Sequence, residues 1–255
     1  MSALDFAPRP GAAPFASMVA AQAGAEVRAM LRNGEQLLLT MIIPVLLLVG
    51  FSKAPIVDLG PGERVDFVAP GVLALAVMST AFTGQAIATG FERRYGVLKR
   101  LGATPLTRPG LLLAKTLAVI AVEVVQTAVI CGVALGLGWR PQGSAAAVLA
   151  LVLAGTAAFS GLGLLMAGTL RAEATLAAAN LVYLVLLGVG GVVFPLDKLP
   201  AAARPVLELL PITALTDGVR DVLRDGAALP LAPLAILLVW AAASLALAAR
   251  TFRWE

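Results

Sequence analysis

The sequence predicts an all-α membrane protein with six transmembrane helices. Three observations carry that prediction. Hydrophobic residues make up 60% of the chain and mean hydropathy is +0.93, whereas soluble domains are roughly 45–50% apolar. Six apolar segments recur along the 255 residues. A span needs about 20 such residues, so little chain remains for a soluble domain. A basic cluster also separates the second and third apolar segments, as expected of a loop on the cytoplasmic side.

The elements follow in order. Residues 1–14 contain Pro8, Pro10, Gly11 and Pro14 and read as a flexible tail. They do not form a secretory signal, because no apolar core follows Arg9. Residues 15–35 read as an amphipathic helix in the membrane interface. Phe15, Val19, Ala23, Val27 and Leu31 recur every four residues, while Glu26, Arg28, Arg32 and Glu35 make burial in a span costly. Residues 36–253 form the six-span domain. Its first span, 37–52, is short and carries Pro44, which is expected to kink it. The loop 54–66 is rich in Pro and Gly and slightly acidic.

The second span, 67–91, carries Gln85, which prefers a protein-facing position. The third, 111–136, carries Glu123 and Gln126; the fourth, 144–170, is rich in small residues. A three-residue turn at Arg171 leads to the fifth, 174–194. Residues 195–230 form the second long polar insertion. Val206, Leu209, Leu210, Leu215, Val219 and Leu223 suggest two short amphipathic helices split at Pro211, a short helical hairpin. The sixth span is 231–249.

Charge sets the orientation. Six spans place both termini on one side. That side carries twelve Lys and Arg residues, six of them between Arg93 and Lys115. The other side carries seven, together with eight acids. The bias puts the termini and the 92–115 stretch in the cytoplasm and the 195–230 hairpin outside. Arg108 and Lys115 read as interfacial anchors of the third span. The excess of Arg over Lys and the abundance of Ala and Gly suggest a bacterial chain, hence the inner membrane.

Composition excludes several function classes. The net charge of +4 is accounted for by cationic loops, so no nucleic-acid partner is implied. With no histidine and one cysteine, no Cys/His metal cluster and no intrachain disulfide can form. No GxSxG motif is present, and no GxxxxGK[ST] phosphate loop. Any ATP must therefore be bound by another chain, and this chain is expected to bind no cofactor itself.

Three polar or flexible features lie along the spans. Glu123 is the one acid deep in a span, roughly 12 Å inward of Lys115 by helical rise. It reads either as a cation or proton site or as a structural hydrogen bond. Gly132, Gly136, Gly161, Gly163 and Gly168 are candidates for close helix packing. The Gly188–Gly191 run before Phe194 and Pro195 reads as a flexible gate or as plain packing at a helix end.

Three features together resemble the type-2 ABC export permeases, the family that includes drug-resistance exporters. One is Glu92-Arg93 followed by GVLKRLGATPLTRPGLLLAK. Another is Gly190 to Leu223, where FPLDKLP and LLPITALTDGVR match two family elements in order. The third is an interfacial helix before a short first span. Leu210 stands where the family often has Asn, and Arg94 and Lys99 stand where many members have acids.

The resemblance implies a permease subunit that pairs with a second permease chain, identical or sister, over a cytoplasmic ATPase dimer holding ATP and Mg. It implies a coupling helix bearing Glu92, Arg93, Tyr95, Gly96, Leu98, Leu101 and Pro105. Gln85, Glu123, Gln126, Gly191, Phe194 and Pro195 are the translocation-path or gate candidates. A hydrophobic drug-like or lipid-like substrate leaving the cell is the leading expectation. An ATP-independent carrier or assembly protein that uses Glu123 is the alternative.

Overall fold

The computed structural model describes residues 11–54, 63–192, 195–196 and 200–252, except the side chains of residues 35–39. Most of the proposed tail, the middle of the 54–66 loop, Phe194 and Arg253 lie outside the described residues. The described residues are all helix and connecting turns, with no strand among them.

The helices are α1 (Phe15–Arg32), α2 (Gly34–Lys53), α3 (Arg64–Met78), a π-helical stretch (Ser79–Gly84) and α4 (Gln85–Arg94). They continue as α5 (Val97–Gly102), α6 (Arg108–Gly136), α7 (Ala145–Thr169), α8 (Ala172–Val189), α9 (Arg204–Leu207), α10 (Pro211–Leu223) and α11 (Leu231–Thr251). Among the described residues, five helices are long and apolar enough to cross a membrane, and Thr40–Lys53 is a shorter apolar helix. The chain is a multi-pass membrane protein.

The second expected span is longer than its apolar run. α3, the π-helical stretch and α4 form one helix over Arg64–Arg94. It is the centre of the bundle: every residue from Phe67 to Met78 is buried. A uniformly apolar helix has no preferred face, so it can be surrounded on all sides. By contrast, α8 is largely uncovered, with Leu181, Leu184 and Val185 exposed. It also stops at Val189 rather than 194, where Gly190 and then Gly191, at φ +70°, turn the chain.

Small residues set the closest approaches. A Cβ at Gly163 would lie 2.8 Å from the Phe82 carbonyl oxygen, so α7 can meet the π-helical stretch only with glycine there. Gly161 meets Ser244 of α11, and Gly168 meets Phe252. Gly132 and Gly136 face open space, with no other helix of the described residues beside them. That stripe of α6 looks away from the bundle.

Of the hairpin between α8 and α11, α9 is only four residues long, and α10 begins at Pro211 as the split predicted. α10 packs on α3 and α7 through Ile212, Leu215 and Val219, all fully buried. Val206 and Leu209 are exposed instead, because α9 is too short to bury a face.

Candidate functional site

One end of the bundle gathers the chain's basic stretch. Gly96, at φ +70°, breaks the chain between α4 and α5, a conformation that costs a side-chain-bearing residue energy. α5 then lies against a small apolar cluster separate from the main core. Val19, Leu98, Leu106, Leu111, Leu112, Leu164 and Phe252 form it, drawn from α1, α5, α6, α7 and the end of α11. Thr107 caps α6, its Oγ1 accepting from the Gly110 amide at 3.3 Å, and Pro109 fits the first turn, where no amide partner is needed.

Polar contacts lock the same end. Lys115 is 3% exposed, with Nζ 2.6 Å from Glu92 Oε2 and 3.0 Å from the Glu26 carboxylate. It joins α1, α4 and α6, and is therefore an internal tie rather than the interfacial anchor expected from its position. Four residues past Leu111 on a helix, it faces α1 and α4 rather than water or headgroups. A buried cation needs such carboxylates, since an unpaired one is costly. Arg93 donates to the Leu170 carbonyl oxygen, and Arg94 pairs with Glu173. Both arginines thus hold α4 to the turn between α7 and α8.

The coupling candidates divide in two. Glu92 is turned inward onto Lys115, and Leu98 is fully buried. Leu101 is half-buried, Arg93 is engaged by the turn, and Gly96 shapes the break. Tyr95 and Pro105 are exposed, with Lys99 and Arg100 between them. Tyr95 stacks on Phe91 at 6.1 Å between ring centroids and is 69% exposed. The surface this end offers is therefore Tyr95, Lys99, Arg100 and Pro105, held up by Glu92 and Leu98 from beneath.

A polar seam crosses the middle of the bundle. Thr80, in the π-helical stretch, donates to Gln126 Oε1 at 2.9 Å, and Gln126 Nε2 donates to the Thr40 carbonyl oxygen at 2.7 Å. Ser160 donates to Gln85 Oε1 at 3.0 Å. Thr156 donates to Glu123 Oε2 at 2.6 Å. Interhelical hydrogen bonds of this kind add about 1 kcal/mol each in a bilayer. The seam ties Gln85, Glu123 and Gln126 to neighbouring helices, and through Thr80 it includes the π-helical stretch. Such stretches are often found at functional sites, and no sequence period announces them.

At the opposite end Gly191 and α10 meet. Arg220 donates from Nη2 to the Gly191 carbonyl oxygen at 3.0 Å, and its Cζ lies 3.8 Å from the centre of the Phe67 ring. Asp217 Oδ1 is 3.4 Å from Arg220 Nη1. Burial pushes Asp217 up to about 6 against the pull of Arg220, and pushes Arg220 down to about 10. In the sequence Arg220 is one of seven Lys and Arg residues on its side of the membrane. Its amphipathic register with Thr213 and Thr216, both buried, was the available signal. Pro195 is half-buried beyond this junction.

No described group of His, Cys, Asp and Glu is arranged to hold a metal ion. Comparison with curated proteins finds no match. A family model described as ABC-2 type transporter matches residues 20–223. That range takes in α1 except its first turn, the central helix, the tied basic end, the polar seam and α10. The chain belongs to the ABC-2 type transporter family and is a membrane transport component.

Proposed function

We propose that this chain is the permease subunit of an ATP-driven exporter in a bacterial inner membrane. It moves a hydrophobic drug-like or lipid-like substrate out of the cytoplasm or inner leaflet. The observation that carries the reading is the tied end, where Lys115 joins α1, α4 and α6 beneath an exposed basic surface. A chain without a phosphate loop needs its energy delivered. A rigid platform touching three helices is suited to receive it.

On this reading α2 completes six spans, both termini are cytoplasmic, and α5 docks on an ATPase dimer that binds ATP and Mg. A second permease chain, identical or sister, completes the pathway. Movement of α5 reaches α6 and α1 through Lys115. Arg220, Gly191 and Phe67 form the outer closure, which opens when α3 shifts.

The test is co-expression and co-purification with a candidate ABC-type ATPase subunit, followed by vesicle transport. A stable complex whose uptake of a fluorescent lipid or drug needs ATP supports the proposal. Absence of any complex overturns it. A carrier reading is favoured by Glu123 alone, and it requires transport driven by an ion gradient without ATP.

A further inference from the structure

Between α6 and α7 runs a groove of about 580 Å³, within the range of roughly 300–1,000 Å³ typical of drug-sized ligand sites. Its walls are nearly all apolar, among them Ile120, Val124, Val148 and Val152. Val124, Leu135 and Leu149 on its rim are each more than half exposed, so the mouth opens on the outer surface of the bundle. A ligand dissolved in the bilayer reaches it directly. Within this apolar wall stands Glu123, 3% exposed.

The Glu123 carboxyl is held from one side only. Thr156 Oγ1 lies 2.6 Å from Oε2 and 2.9 Å from the Val152 carbonyl oxygen, with one proton to give. Oε1 is buried without a hydrogen-bond partner. No Lys or Arg lines the groove among the described residues. Lys115, two turns away on the same helix, is already taken by Glu26 and Glu92. A carboxyl in such surroundings either keeps its proton or gives it up in exchange for an incoming cation, and the groove's apolar walls suit a cation carried on a hydrophobic body.

We infer that the α6–α7 groove binds lipophilic cations, with the Glu123 carboxyl, freed of its proton, as the counter-ion. The claim that such cations are the transported substrate rests on the export reading; binding itself does not. The ligand class is an organic ammonium or phosphonium whose apolar groups fill the space between Ile120 and Val152. Neutral or anionic molecules of the same shape leave the Glu123 proton in place and gain no ion pair.

Tetraphenylphosphonium and tetraphenylborate share shape and differ in sign of charge. Their saturable binding, with uptake by empty nanodiscs subtracted, is measured by equilibrium dialysis against the full chain in nanodiscs of zwitterionic lipid. A second readout is local: Cys131 lines the groove and reports occupancy through its rate of maleimide labelling. The wild-type chain is expected to bind the phosphonium saturably, with slower Cys131 labelling, and to bind the borate at least tenfold more weakly. Glu123→Gln, which keeps an acceptor for Thr156, should weaken phosphonium binding at least tenfold. Val148→Trp, which fills the groove, should abolish it.

Equal binding of both ions, unchanged binding by Glu123→Gln, or binding without protection of Cys131 overturns the inference. So does failure to bind either ion, the result expected if a second copy of the chain covers the groove. Phosphonium binding by a chain that never associates with an ATPase would keep the inference and remove the export reading.

Discussion

Lys115 Nζ lies 2.6 Å from Glu92 Oε2, in a pair that joins α6 to the central helix. Glu26, at 3.0 Å, extends the pair to α1. The lysine is buried, so its two carboxylates hold it within the protein rather than at a water-facing surface.

Removing the cation should therefore cost more than removing one acid. Lys115→Met leaves two carboxylates facing each other and should destabilise the purified protein by about 3–5 kcal/mol. Adding Glu26→Gln and Glu92→Gln to that variant should restore most of the loss. Thermal unfolding in detergent measures both. A single Lys115→Met variant as stable as the parent would show that the tie carries no energy.

The basic end should separate surface from support. On the export proposal, Tyr95→Ala, which alters a 69%-exposed ring, should lower stimulation of the partner ATPase without shifting the unfolding midpoint. Leu98→Asp puts a charge into the cluster with Val19 and Leu111 and should lower the midpoint as well. ATPase assays beside unfolding curves distinguish the two. Equal midpoints for parent and Leu98→Asp would contradict the packing.

At the other end, burial raises Asp217 to about 6 from its ordinary 3.8. A carboxyl raised on folding takes up its proton in the folded state first. Its contribution to stability therefore grows as pH falls through about 6 towards 3.8, and is lost again as pH rises through about 6. Asp217→Asn should flatten that part of the curve and be stabilising chiefly near neutral pH. Unfolding midpoints across this range, parent against variant, give the sign directly.

Two glycines on neighbouring helices should respond oppositely. Gly163→Ala places a Cβ 2.8 Å from the Phe82 carbonyl oxygen and should cost about 1–3 kcal/mol by overpacking. Gly132→Ala meets open space and should be neutral or mildly stabilising, since alanine is the better helix former. Paired unfolding measurements on the two variants decide this.

Much of the architecture was legible in the sequence. The apolar runs located α3 with α4, α6, α7, α8 and α11, and Pro211 marked the start of α10. Ends were less legible. α3 begins at Arg64 because Arg64 reaches the Ala54 carbonyl oxygen at 2.9 Å, a contact that no local pattern encodes. The site was half legible. Gln85, Glu123 and Gln126 stood out as polar residues in apolar runs, yet their partners Ser160, Thr156 and Thr80 lie 33 to 75 residues away. Glu92 and Leu98 stood out by motif, but only packing turns them inward.

By itself, the sequence determined that the chain is helical and membrane-embedded, because apolar runs of that length need internally satisfied backbones in lipid. It also determined that ATP cannot be held by a phosphate loop here. Tertiary structure alone decided which apolar helix is central, which glycines touch, and where each charge ends. Those outcomes depend on contacts between residues far apart in the chain. Lys115 shows the difference. Its sequence neighbours suggested the membrane surface, and two distant carboxylates made it the tie between three helices.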